Sequence, residues 1–258
     1  MAKFFANERK NVIMNILHQH QRTTIKELNK HLNVSEATLR TDLMQMEKEG
    51  LLIRTHGGAM TKEKTNDQHC SSTMGDTINQ VEKIKISQRA AQLIMNGQCI
   101  FLDASPIALE LARILVQEKS RLTVVTNGIH AAMEMKENPN ITVILIGGAL
   151  RVGSTALEGR FGIDLLRRIH ADILFTSASG FTIEDGLTDF NVYEIELKKE
   201  MVKAASRVVA LLDHDKIGKI SIASYASTEQ IDVLITDSEA PHTFLEEIAA
   251  KQIELIVV

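Results

Sequence analysis

Over the first sixty positions the apolar residues fall at helical spacing. Ile13, Ile16, Leu17 and His20 stand at i, i+3, i+4 and i+7, which predicts a helix from about Asn7 to His20. Thr24 followed by Glu27 has the form of a capping box, opening a second short helix that buries Ile25, Leu28 and Leu32. Asn33 and Val34 make a tight break, and Ser35 caps a third helix with Glu36 in its first turn, where the helix dipole favours an acid. That helix runs to Glu49 and is stopped by Gly50. Its core stripe is Leu39, Leu43 and Met46, and Ala37, Arg40, Thr41, Met44 and Lys48 face away. Residues 51–59, LLIRTHGGA, then predict a strand, a glycine turn and a second edge.

Thr61 to Asp76 has almost no apolar residues and no periodicity, which marks a linker. From Thr77 the pattern changes to helices alternating with short, β-branched apolar runs. Ile86, Ala90, Leu93 and Ile94 mark a helix, Cys99–Leu102 a strand and Ile107–Leu115 a helix. Further strands are predicted at Leu122–Val125, Ile141–Ile146, Ile173–Phe175, Val208–Leu212, Val233–Ile235 and Ile253–Val258. Strands that are apolar throughout, separated by helices, predict a parallel layered α/β sheet. The expected organisation is residues 1–60, a linker over 61–76, and a second domain over 77–258.

The outward face of the third helix is small and polar, with Ser35, Ala37 and Thr38 in its first turns. The DNA major groove, about 12 Å wide, admits a helix of that kind closely. Arg40 offers a bidentate fork to guanine, and Thr41 can hydrogen-bond or touch a thymine methyl. Lys48, with Arg54 and His56 on the strand pair, suits phosphate or minor-groove contacts. The plain alternative is an amphipathic surface helix, which the two helices ahead and the strand pair behind argue against.

In the second domain, polar residues gather just after the strands: Asp103 and Ser105, Thr126 and Asn127, Gly147 and Gly148, Ser179, and Asp213 with Lys216. The carboxyl ends of strands in an open α/β sheet form a ligand crevice, and a following helix N-terminus favours an anion. Glu194 and Lys198 could complete such a pocket. Their i, i+4 spacing equally fits a surface ion pair worth about 0.2–0.5 kcal/mol.

Composition adds limits. The 258 residues are 44% hydrophobic and 24% charged, with three prolines and no tryptophan, as in a soluble globular chain. No apolar run reaches bilayer length, and the first ten residues lack a hydrophobic signal core. Cys70 and Cys99 make neither a metal spacing nor a disulfide framework, and His69 beside Cys70 is no metal pair. A cytoplasmic protein without metal or cofactor is expected. Up to Lys62 there are ten Lys and Arg against six Asp and Glu, so the head is +4 and the rest of the −4 chain is −8. A basic head on an acidic body suits a polyanionic partner.

Val34, Ser35, Thr38, Leu39, Arg40, Asp42 and Leu43, then Gly50 and His56-Gly57-Gly58-Ala59, resemble the winged helix-turn-helix of the DeoR family of bacterial transcriptional regulators. The family carries a second arginine where this chain has Thr41. The resemblance continues to about Asp237 through Asp103-Ala104-Ser105, Thr126-Asn127-Gly128, Gly147-Gly148, Gly186-Leu187-Thr188, Glu194 to Lys198, and Asp213 with Lys216 and Gly218. It implies a sensor domain similar in fold to ribose-5-phosphate isomerase and the CoA transferases, with a phosphorylated sugar or related metabolite in the pocket. In the first loop Pro106 and Ile107 stand where the family usually has hydroxyl residues.

The expected function is a repressor of a carbohydrate operon, acting as a homodimer or homotetramer on double-stranded operator DNA. The competing reading is a sugar-phosphate isomerase with an N-terminal appendage. Its acidic loop should fall near Ser177–Phe181, where no carboxylate stands. An RNA adaptor would need an aromatic stacking platform, and only Phe4 and Phe5 lie near the head.

Overall fold

A computed structural model describes residues 9, 10, 12–14, 16, 17, 22–32, 34–48, 51–55, 58–61 and 79–258. The chain divides into two compact units, Met1–Gln68 and His69–Val258.

In the first unit the described residues between 9 and 17 are helical, and Ile13 and Leu17 are buried. Strand β1 (Arg22–Thr24) leads into helix α1 (Ile25–Leu32). The capping box closes in both directions: Thr24 N–H donates to Glu27 Oε2 at 2.7 Å, and Glu27 N–H to Thr24 Oγ1 at 3.2 Å. Asn29 Nδ2 donates to the Val34 carbonyl and pins the turn into α2 (Glu36–Lys48), where Ser35 Oγ accepts from Thr38 N–H. Strands β2 (Leu52–Thr55) and β3 (Gly58–Thr61) form the wing.

Strand β1 was not expected. It pairs with β3 to give a three-stranded antiparallel sheet in the order β1-β3-β2. A Cβ on Gly58 would lie 2.0 Å from the Thr23 carbonyl oxygen, so only glycine lets β1 approach there. Strand β3 also takes Thr61, the first residue assigned to the linker; residues 62–76 lie outside the described ones. Leu28, Leu39, Leu43, Met46 and Leu52 join Ile13 and Leu17 in one core.

The second unit is built on a seven-stranded sheet in the order β13-β12-β10-β7-β4-β5-β6, and every pairing in it is parallel. Its strands are β4 (Cys99–Leu102), β5 (Leu122–Thr126), β6 (Ile141–Leu145), β7 (Ile173–Thr176), β10 (Val208–Leu211), β12 (Val233–Thr236) and β13 (Glu254–Val257). Alternate residues feed opposite faces. Ile100, Leu102, Val124 and Phe175 pack on one side with α3 (Gln80–Ala91), α4 (Pro106–Leu115) and α5 (Ile129–Met135). Phe101, Val125 and Leu174 pack on the other with the short α6 (Ile163–Leu166), α7 (Val192–Ala204) and α8 (His242–Ala249). Leu93 and Ile94 lie beyond the end of α3 rather than within it.

A second sheet, β8 (Gly180–Thr182), β9 (Gly186–Asp189) and β11 (Ala223–Ala226), is antiparallel in the order β11-β9-β8. The sequence reading took Ser177–Gly180 as a turn after a strand and predicted no strand between there and Val208. Three- and four-residue strands dense in glycine and threonine give too little periodicity to find.

Candidate functional site

The outward face of α2 is open. Ala37, Arg40, Thr41, Met44 and Lys48 are exposed, whereas Leu39, Leu43 and Met46 are sealed in the core. Thr41 Oγ1 donates back to the Ala37 carbonyl at 3.1 Å, which leaves its methyl and one lone pair for a partner. The Ser35 and Thr38 hydroxyls lie 2.9 Å apart at the cap. Arg40 reaches Glu36 at 3.4 Å with both side chains largely exposed, a pair weak enough to break for a better acceptor. On the wing, Arg54 is exposed and its backbone N–H donates to Glu47 Oε1. His56 lies outside the described residues.

One fixing element escaped the sequence reading. Arg9 Nε and Nη2 grip the Asp42 carboxylate at 2.7 and 3.0 Å, with both side chains mostly buried. Through that bidentate bond the first helical segment holds α2 at one rotation. The Asp42 hydrogen bond raises the Arg9 guanidinium above its ordinary value, against the opposing effect of burial. Asp42 stands one position from Leu43, too near the core stripe for an unpaired charge, and that is the signal that could have found it.

In the second unit, the sheet order β10-β7-β4-β5-β6 sets five strand ends side by side. They carry Asp213, Ser179, Asp103, Thr126 with Asn127, and Gly147 with Gly148, in that spatial order. Strand order reverses between β7 and β4, so the switch point lies at the loops beginning at Ser177 and Asp103.

Directly beneath that point is a buried charge cluster. Lys198 Nζ is 3.2 Å from Asp103, 2.8 Å from Asp189 and 2.8 Å from the Ser177 carbonyl. Asp103 also accepts from Ser105 N–H, Thr176 Oγ1 and Ser177 N–H. Ser179 Oγ donates to Asp189, and Tyr225 OH to the Ser177 carbonyl. Lys198 is therefore no surface partner of Glu194. Only 3% of it is exposed, and two acids neutralise it. Burial would lower its pKa, but Asp189 and Asp103 outweigh that and hold the ammonium well above the ordinary lysine value. Asp189, raised by burial, is carried below the usual carboxylate range by Lys198.

Glu194 is left over. It is half-buried, and its carboxyl accepts a long bond from Asn191 Nδ2 at 3.4 Å. Burial pushes it up to about 7; Lys198 opposes, while Asp189, Asp103 and Glu158 add to the rise. Glu158, buried nearby, is held by Arg151 at 2.7 Å and Asn191 at 2.5 Å.

The remaining predicted residues spread along the rim. Ser105 caps α4, accepting from Ala108 N–H. Thr126 is buried with its Oγ1 accepting from Gly128 N–H; Asn127 is buried and donates to the Leu157 carbonyl, while its Oδ1 has no hydrogen-bond partner. Gly147 is exposed, but Gly148 lies under the 149–159 loop, where a Cβ would sit 2.5 Å from the Glu158 carbonyl oxygen. Its lack of a side chain makes room for that close packing. Asp213 caps the turn that carries Lys216, whose backbone N–H donates to the Asp213 carbonyl and whose side chain makes no hydrogen bond or ion pair among the described residues. Beside it, His214 is bonded to Asp237 and its pKa is raised: Asp237, Asp215 and Asp213 outweigh burial.

A cleft opens between the ends of β4 and β5, lined by Ala104, Ser105, Pro106, Gly128, His130 and Thr155 among others. His130 and Thr155 were not foreseen. His130 sits inside a helix pattern, and Thr155 comes in on a loop whose path no periodicity announces.

The DeoR-like helix-turn-helix domain profile matches residues 9–65, and the DeoR C terminal sensor domain profile matches residues 78–238. The chain is 47% identical over 235 residues to the HTH-type transcriptional regulator GolR of Listeria innocua, covering 91% of this chain and 92% of that one. It is 26% identical over 253 residues to the glycerol-3-phosphate regulon repressor of Escherichia coli K12, covering 96% and 97%. Ribose 5-phosphate isomerase A of Methanocaldococcus jannaschii aligns over 54% of this chain and 55% of its own, at 19% identity and a TM-score of 0.40. With both profiles laid end to end along its two units, this chain belongs to the DeoR family of DNA-binding transcriptional regulators.

Proposed function

We propose that α2 inserts its outward face into the major groove of an operator, and that the crevice takes a phosphorylated sugar or polyol whose binding changes the affinity for that DNA. The observation carrying this is the asymmetry of α2: Leu39, Leu43 and Met46 are fully enclosed, and Ala37, Arg40, Thr41 and Lys48 are all exposed. In this reading residues 1–60 bind DNA, 61–76 link, and 77–258 sense. Arg40 and Thr41 meet base edges, Ser35, Ala37 and Thr38 allow close approach, and Lys48, Arg54 and His56 meet phosphates. Two chains place two such helices about 34 Å apart on a pseudo-palindromic site. The protein works in the cytoplasm, as a homodimer or homotetramer.

For the effector, the cleft beside Ser105 and Gly128 suits a phosphate, because α4 begins there with its N–H groups unpaired by the helix. Glu194, Lys216 and the unbonded Oδ1 of Asn127 are predicted crevice groups with polar atoms left for a ligand. Asp103, Thr126, Asn127, Ser179, Lys198 and Asp213 shape its floor, and Gly147 and Gly148 its edge. A regulon repressor of a phosphorylated polyol among the relatives agrees with this chemistry. The test is fluorescence anisotropy of labelled upstream DNA against the protein, repeated with rising sugar phosphates. Affinity that stays constant across pentose, hexose and triose phosphates removes the switch.

The isomerase reading finds less support. It needs a base on the Ser177–Phe181 loop, where no carboxylate stands; Asp103 and Asp189 are both committed to Lys198, and Glu194 comes from α7 rather than that loop. Incubation with pentose phosphates is expected to give no turnover.

A further inference from the structure

We propose that the apolar surface around Phe161 is the contact through which a second copy of this chain docks, by a two-fold axis. This deepens the oligomer reading above by naming its face, but it stands on observations of its own.

Five apolar side chains lie open in one neighbourhood. Phe161 is 84% exposed, Tyr193 61%, Leu150 57%, Val192 55% and Leu165 36%. The segments bearing them are packed together. The 3-10 turn Arg160–Gly162 and α6 both rest on α7, and the loop after β6 is tied to the start of α7 by Arg151, which bonds Asn191 Oδ1 and lies 5.3 Å over the Tyr193 ring.

The exposure of Phe161 is imposed by its neighbour. A Cβ on Gly162 would fall 2.1 Å from Ile146 Cγ2 and 3.1 Å from Leu197 Cδ1. The turn is therefore pressed flat onto the core at Gly162, and the adjacent side chain is directed outward. A phenylalanine held out in this way by close packing is a fixed feature, not a loose end. Tyr193 is likewise held by Arg151, and rigid aromatic anchors lose little entropy on binding.

Size selects the occupant. Those five side chains present roughly 600 Å² of apolar surface, at the top of what a monomer's largest patch shows and near the ~800 Å² per partner of a standard interface. The rim carries both signs: Arg160, Arg167 and Arg168 are exposed beside Asp164 and Glu196, also exposed. A two-fold contact lays each surface against its own copy, so a mixed rim can pair with itself where a rim of one sign would repel.

The test is sedimentation velocity of the full chain and three variants at micromolar concentration. Wild type is expected to sediment as a dimer or a larger even assembly. Phe161→Asp combined with Tyr193→Asp should weaken self-association at least a hundredfold, with a circular dichroism spectrum unchanged from wild type because neither side chain is buried within one chain. Met95→Asp, 66% exposed in the loop after α3, should leave the assembly intact. If the double variant does not fold, Leu150→Lys alone is read the same way, with about a tenfold weakening expected. A monomeric wild type, an assembly that survives the substitutions, or equal dissociation by Met95→Asp each overturns the proposal. Titration with a single DNA half-site keeps the two readings apart: the dissociated double variant should bind it as wild type does. Dissociation with no binding to any duplex would sink the DNA reading and leave this face standing.

Discussion

The two units handle charge in opposite ways. On α2 the cations face solvent: Arg40 has only an open pair with Glu36, and Lys48 is exposed. In the crevice Lys198 is sealed between Asp103 and Asp189 and faces nothing outside the protein. An exposed, weakly paired cation is ready for exchange with a polyanion. A buried, doubly paired one fixes the floor of a site. In the proposed function the first kind of charge meets the DNA, and the second keeps the surfaces around it in place.

That contrast can be tested most sharply at Lys198. Lys198→Ala leaves two carboxylates buried without their cation and should cost about 3–5 kcal/mol of unfolding free energy, read by urea denaturation. Lys198→Met, which replaces the stem but not the charge, should be no better. A loss under 1 kcal/mol would mean that the cluster is solvated and the contrast false.

Asp42→Ala comes next. It removes the carboxylate that Arg9 grips with two bonds and should cost about 2 kcal/mol, with a parallel loss of specific DNA binding because α2 is less firmly held in rotation. Stability lost without any change in specificity would make the pair a fastener alone.

Glu194 gives a pH test. Its carboxyl moves from an ordinary 4.5 in the unfolded chain to about 7 in the folded one. Between those values the native protein holds a proton that the unfolded chain has released. Stability is therefore highest on the acid side for this group and falls as pH rises from 4.5 to about 7. With part of the group reachable by water, the swing should be about 2 kcal/mol. Glu194→Gln should flatten it, as chemical denaturation across that range would show.

Arg40→Ala should cost about 1–3 kcal/mol on the preferred operator and much less on random duplex. Arg54→Ala should produce the smallest effect, weakening all duplexes alike and lowering the salt slope by about one. Equal, sequence-independent losses from both would reduce Arg40 to a phosphate contact.

How much could be read in advance followed the range of the interactions. The predicted ends of the first helix lie outside the described residues. The second and third helices, the Thr24–Glu27 box, the Ser35 cap and the strand runs from Cys99 to Val257 are local signals, and each was found within a residue or two. So were the five strand-end turns. The cluster around Lys198 was not, because Asp103 lies on the other side of the sheet's switch point and Asp189 ends a strand too short to announce itself. The i, i+4 spacing of Glu194 and Lys198 pointed to a pair that the fold replaces with a distant one. Strand β1 was missed for a similar reason: Arg22–Thr24 is extended only because Gly58, thirty-odd residues later, makes room for it.

Gly148 carries a further consequence. The loop over the crevice lies against the sheet with no clearance at that position, its backbone resting where a methyl group would be. Alanine there would act as a wedge beneath the loop, lifting Glu158 and loosening the hold that Arg151 and Asn191 keep on it. One missing carbon thus sets how low the loop lies on the sheet edge, and a lineage that altered it would change that height without touching a single polar group.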